Sequence, residues 1–137
     1  MSSKVDTLRA AYQRWDDTRA ADDSVWLDLI GDGFVLRSIG DGKKGMEFSA
    51  QRAGREEMHQ YFAGLRNDWT MEFYRPDEFI EQGDRVVVYG ECAWTNKHTG
   101  KTARTPVVAL WKFRDGKAIE FFEFYDTAAA FAAAKPD

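Results

Sequence analysis

Between residues 70 and 125 the sequence offers four long strand candidates in succession, separated only by tight turns. A chain built that way has little choice but to fold this region as an antiparallel meander. The candidates cover residues 70–82, 85–96, 102–114 and 117–125, and the turns fall at Gly83-Asp84, His98-Thr99-Gly100 and Asp115-Gly116. Each candidate is longer than the usual five or six residues. Three carry a breaker inside them, namely Pro76, Gly90 and Pro106. Proline cannot donate to a ladder and glycine weakens one, so these positions predict bulges or edges. Long strands kinked near their middles make a curved sheet, and helices laid on its concave face leave a cavity.

The meander is also apolar on both faces. Val107, Val108, Ala109, Leu110, Trp111 and Phe113 show no polar alternation, and neither does most of Ile119 to Tyr125. A sheet with one face in water should alternate. Helices can cover one face here, and a second copy of the chain is the simplest cover for the other. A homodimer through outward residues such as Val108, Leu110 and Phe122 is therefore expected, with cover by crossing loops as the alternative.

The helices come mainly from the first half. Val5, Leu8, Tyr12 and Trp15 recur at helical spacing. Asp22-Asp23-Ser24 offers N-cap candidates for a short second helix carrying Val25, Trp26, Leu29 and Ile30, ended by Gly31-Asp32-Gly33. Phe34 to Ile39 reads as a strand, and Met46 to Arg52 fits no class cleanly. A third helix runs from about Arg55 to Trp69, with Met58, Phe62, Leu65 and Trp69 along one side. Asp126 can cap a short Ala-rich helix at the end. The fold class is thus α+β: one domain over residues 1–137, a curved antiparallel sheet packed with three main helices around a pocket.

Composition narrows the function. Aromatic residues make up 15% of the chain, with 5 Trp, 5 Tyr and 10 Phe. That load is large for one small core, so some rings are candidates for lining a cavity. The formal net charge of −4 and the lack of a basic stripe argue against nucleic acid, and against anionic membranes. No apolar run is long enough to span a bilayer, and the charged N-terminus does not read as a signal segment. The single cysteine, Cys92, cannot form an internal disulfide, which fits a reducing, cytoplasmic setting.

Several motifs lead nowhere. Gly40-Asp41-Gly42-Lys43-Lys44-Gly45 matches the dinucleotide-binding pattern, but no helix of a βαβ unit follows it, so it reads as a mobile loop. His59 and His98 lack ligand spacing, so no metal site is expected, and nothing calls for a cofactor. Cys92, among apolar strand neighbours, reads as inert packing.

The last strand is more informative. In Ile119-Glu120-Phe121-Phe122-Glu123-Phe124-Tyr125-Asp126, alternation puts Phe121, Glu123 and Tyr125 on one face and Glu120, Phe122 and Phe124 on the other. Each face carries one carboxylate among rings. Whichever faces the cavity is desolvated, with a raised pKa suited to acid–base work. The plainer alternative is a glutamate that meets a backbone or Arg partner and does no chemistry.

The order helix, helix, strand, helix, long meander resembles the nuclear transport factor 2-like (NTF2-like) superfamily, in its SnoaL-like and ketosteroid-isomerase-like branch. The best-matching pieces are Gly54-Arg55-Glu56-Glu57, the turns at Lys101 and Lys117, and the ending Glu123-Phe124-Tyr125-Asp126. The resemblance implies a cone-shaped α+β fold, a pocket between sheet and helices, and homodimers. It also places Phe121, Glu123 and Tyr125 inward, with Trp15, Ser38, Cys92, Trp94, Ala109 and Trp111 as further pocket residues. Ketosteroid isomerases carry a Tyr on the first helix, an Asp on the first strand and an acidic donor on the penultimate strand. Counted from the shared turns, these fall on Arg14, Ser38 and Ala109, so that set is absent. The Arg-x-Asp pair of limonene-epoxide hydrolases falls on Gly90 and Cys92, which breaks it, while their last-strand Asp falls on Glu123.

Two functional readings follow. The first is a cofactor-free isomerase, cyclase or hydratase acting on a small apolar, carbonyl-bearing molecule, with Glu123 moving the proton and Tyr125 or Trp94 orienting the substrate. The second is a module that binds a hydrophobic ligand, or merely dimerises, without catalysis. A second polar group beside the ligand favours the enzyme, and a cavity lined only by rings favours the module.

Overall fold

The computed structural model describes residues 3–43 and 46–137. In chain order the elements are α1 (Lys4–Asp17), α2 (Ser24–Leu27), β1 (Ile30–Ser38), a 3-10 turn (Glu47–Ser49), β2 (Arg52–Ala53), α3 (Gly54–Asp68), β3 (Trp69–Gln82), β4 (Arg85–Asn96), β5 (Thr102–Arg114), β6 (Lys117–Tyr125) and α4 (Thr127–Ala134). The meander closes through the turns its sequence indicates. Asp115 and Gly116 both have positive φ, 52° and 79°, the left-handed pair that a two-residue hairpin turn requires between Arg114 and Lys117.

One six-stranded sheet results, in the order β2-β1-β6-β5-β4-β3. It is not wholly antiparallel, because β1 pairs with β6 in parallel, through Leu36↔Phe121 and Ser38↔Glu123. The first strand also begins earlier than its apolar pattern indicates. Leu29 and Ile30 leave the second helix, since the carbonyl of Leu29 accepts the Ala118 N–H at 3.0 Å and draws the chain onto β6. Gly31-Asp32-Gly33 therefore lies inside β1, where the register slips between Ile30 and Val35, and does not end a helix. The segment 46–52 becomes the 3-10 turn and leads into β2. Of the glycine-rich stretch 40–45, residues 44 and 45 lie outside the described residues.

The breakers in the meander act unequally. β3 and β4 slip register between Met71 and Phe73 and again between Pro76 and Glu78, and Gly90 faces Pro76. Pro106 makes no bulge: β4 and β5 run in unbroken register through Glu91↔Pro106. It sits one residue beyond the last β5–β6 pair, Val107↔Tyr125, where the ladder has ended on one side and a missing donor is tolerated. The β5–β6 ladder slips instead between Lys112 and Phe113, where Ile119 of β6 is left unpaired.

Helix α1 packs along β3 and α3 against β1 and β2, burying Leu8, Tyr12 and Trp15 from one and Met58, Phe62 and Leu65 from the other. Trp15, Trp94, Val107, Ala109, Trp111 and Glu123 lie on the side these helices cover. Helix α4 closes the end of the sheet. Asp126 caps it by accepting from Ala129 N–H at 3.1 Å, and the Thr99 hydroxyl donates to the Ala133 carbonyl at 2.6 Å. On the opposite face Val108, Leu110 and Phe122 are half-buried, while Phe124, Tyr89 and Ile80 are 37%, 45% and 55% exposed. Among the described residues no helix is long and apolar enough to cross a membrane.

Candidate functional site

Cross-strand partners project to the same side of a sheet, so the pairs Ser38↔Glu123 and Ala109↔Glu123 fix where Glu123 points. Its carboxylate stands among the rings on the helix-covered face. Two cavities of about 60 and 50 Å³ open there. The first is walled by Tyr12, Trp15, Trp26, Trp111, Phe121 and their apolar neighbours, with Trp26 stacked on Trp111 at 5.5 Å. The second is lined by Trp69 and Tyr125 together with smaller groups, Cys92, Ala103, Thr105, Val107 and Ala130. Glu123, Tyr61, Leu65 and Trp94 belong to both.

Glu123 keeps some accessible surface because it lines these cavities, yet it lies deep in the fold. Burial disfavours its charged form and pushes its pKa to about 7, against a partial lowering by the hydroxyl of Tyr74. That hydroxyl donates to Glu123 Oε2 at 2.6 Å. Tyr74 is held by the backbone as well, since its N–H donates to Asp16 Oδ1 of α1 at 2.8 Å. Behind it the Trp111 indole N–H donates to the Tyr12 hydroxyl at 3.0 Å, and the Tyr12 ring stacks on Tyr74 at 5.4 Å. Burial, then the nearby Glu123 carboxylate, raises the pKa values of Tyr12, Tyr61 and Tyr74. At neutral pH these phenols are hydrogen-bond donors, and Glu123 is the group poised to gain or lose a proton. Tyr74→Phe removes the one interaction that holds the Glu123 pKa down, so it is expected to raise that pKa above about 7. A carboxyl-carbon NMR titration of the variant checks this, and an unchanged midpoint would rule out the assigned role of Tyr74.

The residues expected at the pocket divide into two groups. Trp15, Trp111 and Phe121 line the first cavity, Cys92 and Tyr125 the second, and Trp94 and Glu123 both. Ser38 and Ala109 line neither. Ser38 is buried, its hydroxyl engaged with that of Tyr125 at 2.6 Å. Ala109 is 1% exposed and flanked by Glu123 on β6, its methyl too short to reach past its neighbours to the cavity. The position counted to Arg14 is likewise displaced. Arg14 is exposed and ion-paired with Asp22 at 2.9 Å, and the first-helix phenol on the cavity wall is Tyr12. Cys92 is buried, and its thiol pKa is raised by that burial, as expected of a packing residue. His98 is largely exposed and meets Asp68 at 2.9 Å. Among the described residues no group of three or more His, Cys, Asp or Glu side chains is placed to hold a metal.

Tyr12, Trp26, Tyr61 and Tyr74 line the first cavity outside the expected set, and of these Tyr61 and Tyr74 bear most on the chemistry of Glu123. Tyr61 had a signal, since it stands three residues after Met58 and four before Leu65, on the edge of the same helical face. Its hydroxyl has no hydrogen-bond partner among the described residues and belongs to a ring that lines both cavities. The other hydroxyls on the walls are engaged: Tyr12 with Trp111, Tyr74 with Glu123, Tyr125 with Ser38, and Thr105 with the Pro106 carbonyl.

The family model described as SnoaL-like domain matches residues 8–121. No curated protein sequence matches. Among solved structures, an NTF2-like protein of unknown function from Burkholderia pseudomallei superposes with a TM-score of 0.83 at 25% identity, covering 98% of this chain and 99% of that one. TerC, co-crystallised with polyporic acid, superposes with a TM-score of 0.78 at 26% identity over 95% and 96% of the two chains. A protein from Catenulispora acidiphila with a ketosteroid isomerase-like fold, in complex with trimethylamine, shares that fold at a TM-score of 0.77 and 13% identity, over 98% and 96%.

Proposed function

The chain belongs to the SnoaL-like domain family, and from that premise we propose a cofactor-free acid–base enzyme acting on a small, apolar, carbonyl-bearing molecule. The reaction class is isomerisation, cyclisation or hydration. One observation carries this reading: a carboxyl group with a pKa of about 7 stands in an aromatic cavity that it shares with a phenol, Tyr61, whose hydroxyl has no hydrogen-bond partner among the described residues. The co-crystallisation of TerC with polyporic acid supports an organic small molecule as the occupant.

In the proposed chemistry the Glu123 carboxylate takes a proton from the carbon next to the substrate carbonyl. The electron pair of that C–H bond moves onto the carbonyl oxygen as an enolate, and the Tyr61 hydroxyl donates a hydrogen bond to it. The protonated Glu123 then returns the proton to another carbon of the enolate in an isomerisation, or to the alkoxide left when the enolate carbon closes a ring on a second carbonyl. In a hydration Glu123 takes its proton instead from the water that adds to the unsaturated bond and returns it to the carbon next to the carbonyl. Tyr74 holds the Glu123 carboxylate through the 2.6 Å hydrogen bond, and Trp94 packs beside the reacting carbon. A cavity lined by rings alone would favour a non-catalytic binding module, and the carboxyl group of Glu123 departs from that.

The test is hydrogen exchange. In deuterated water the protein should exchange the α-protons of an apolar ketone such as dipropyl ketone above the buffer rate, with proton NMR as the readout. Exchange no faster than buffer on both sides of the Glu123 pKa would remove the acid–base reading.

We further propose a homodimer through the face opposite the cavities, where half-buried Val108, Leu110 and Phe122 adjoin the exposed Phe124 and Tyr89. Sedimentation at micromolar concentration should show a dimer, and Leu110→Lys should shift it toward monomer. Monomer alone in the unaltered protein would refute the interface. The single thiol, Cys92, is buried and free, which supports a reducing, cytoplasmic setting.

A further inference from the structure

The two cavities are similar in size, about 60 and 50 Å³, and the residues they share are Tyr61, Leu65, Trp94 and Glu123. Glu123 thus lies on the boundary that the two cavities share, the waist between two lobes, and not at the far end of either. Volume then limits what can sit beside it. At about 10–15 Å³ for each water-sized group, either lobe takes roughly four to six heavy atoms, and the two together take roughly eight to ten. A ligand that keeps its polar atom beside Glu123 and Tyr61 and is larger than a few heavy atoms has to extend into both lobes.

We infer that the natural ligand is two-armed, with a carbonyl-type polar centre held at Glu123 and Tyr61 and an apolar arm in each lobe. The lobes differ in what they accept. The first is walled by stacked Trp26 and Trp111 with Trp15 and Phe121, flat surfaces suited to an unsaturated or alicyclic arm. The second, where Ala103, Val107 and Ala130 line the wall beside Trp69, suits a short aliphatic arm, and its hydroxyls among the described residues are those of Thr105, Tyr61 and Tyr125. Its far wall is α4, so the C-terminal helix, through Ala130, sets the length of the second arm. The inference rests on the proposed acid–base reading for what Glu123 does to the ligand, but not for where the ligand lies.

Two isomeric ketones test it on the unaltered protein. Dipropyl ketone places its carbonyl centrally, with a propyl arm for each lobe. Methyl pentyl ketone has the same atoms and nearly the same hydrophobicity, but it overfills one lobe and leaves the other almost empty. Two methylenes left unburied correspond to a preference of about tenfold for dipropyl ketone. Quenching of tryptophan fluorescence is the readout, since Trp94 stands at the waist and Trp15, Trp26 and Trp111 line the first lobe. Ala130→Leu should fill the second lobe and bring the two ketones to equal affinity, and Ala103→Val should act in the same direction. Equal affinities in the unaltered protein, or no binding of either ketone at millimolar concentration, would overturn the two-armed site. Isomer preference without α-proton exchange would keep the site and remove the acid–base reading. Exchange without isomer preference would do the reverse.

Discussion

Glu123→Gln is expected to slow α-proton exchange by roughly a hundredfold or more while leaving the fold and ligand binding in place. The amide is close in shape to the carboxyl group and can still accept the Tyr74 hydroxyl, but it cannot carry a proton to and fro. The same variant should change the response of stability to pH. Burial raises the Glu123 pKa from 4.5 to about 7, so the folded protein keeps this proton over a range in which the unfolded chain has released it. The contribution to stability is therefore fully present below about 4.5 and is lost as pH rises through about 7. The loss amounts to at most about 3 kcal/mol at neutral pH and above. Glu123→Gln removes that slope, so thermal unfolding should place the variant level with its parent in acid and above it at pH 8. A well-folded variant with undiminished exchange would end the candidacy of Glu123 and make a ligand-binding module the better reading. A variant altered in stability but not in exchange would assign the residue to packing.

How far the sequence could be read depended on whether side-chain parity survived along each strand. It survived along β6 from Glu120 onward, so Phe121, Glu123 and Tyr125 could be grouped from alternation alone. The two-sided apolar pattern of β5 likewise separated Val107, Ala109 and Trp111 from Val108 and Leu110. Parity failed along β3. The slip between Met71 and Phe73 turns both Met71 and Tyr74 inward, although they lie an odd number of residues apart. Phe73, which simple alternation from Met71 would bury, lies instead on the outer face beneath the guanidinium of Arg75 at 4.1 Å. Nothing local marks that bulge, so the phenol that holds Glu123 was invisible until the strands were paired. The start of β1 failed for a different reason. Ile30 satisfies a helical spacing, but Leu29 is claimed by a backbone bond to β6, a contact with a residue far along the chain. Family register gave Ser38 and Ala109 the right face but not the right depth. A serine whose hydroxyl is already engaged and an alanine beneath larger neighbours share a wall with Glu123 without reaching its cavity.

Gly90→Ala should be among the most damaging single substitutions outside the aromatic core, and the reason is the curvature that creates the site. Where β3 slips at Pro76, its backbone crosses so close to β4 that a Cβ on residue 90 would lie 2.1 Å from the Arg75 carbonyl oxygen and 2.7 Å from Pro76 Cα. Both are backbone atoms, so no side-chain rotation relieves the contact and the strands must part. Overpacking of this kind is expected to remove about 3 kcal/mol or more of stability. In a chain of this size that lowers the melting temperature by about 10 °C or more. Gly64→Ala is the control, because a methyl there meets nothing within 4 Å and residue 64 lies inside α3. It should leave stability unchanged or raise it by about 0.5–1 kcal/mol. The functional effect of Gly90→Ala follows from the same displacement. Tyr74 pairs with Cys92, two residues from Gly90, so strands forced apart at residue 90 carry the Tyr74 hydroxyl away from Glu123. Any folded fraction should then show a Glu123 pKa raised above about 7, as Tyr74→Phe does. A Gly90→Ala protein as stable as its parent, with an unshifted Glu123 titration, would mean that the close crossing of β3 and β4 does not hold the site together.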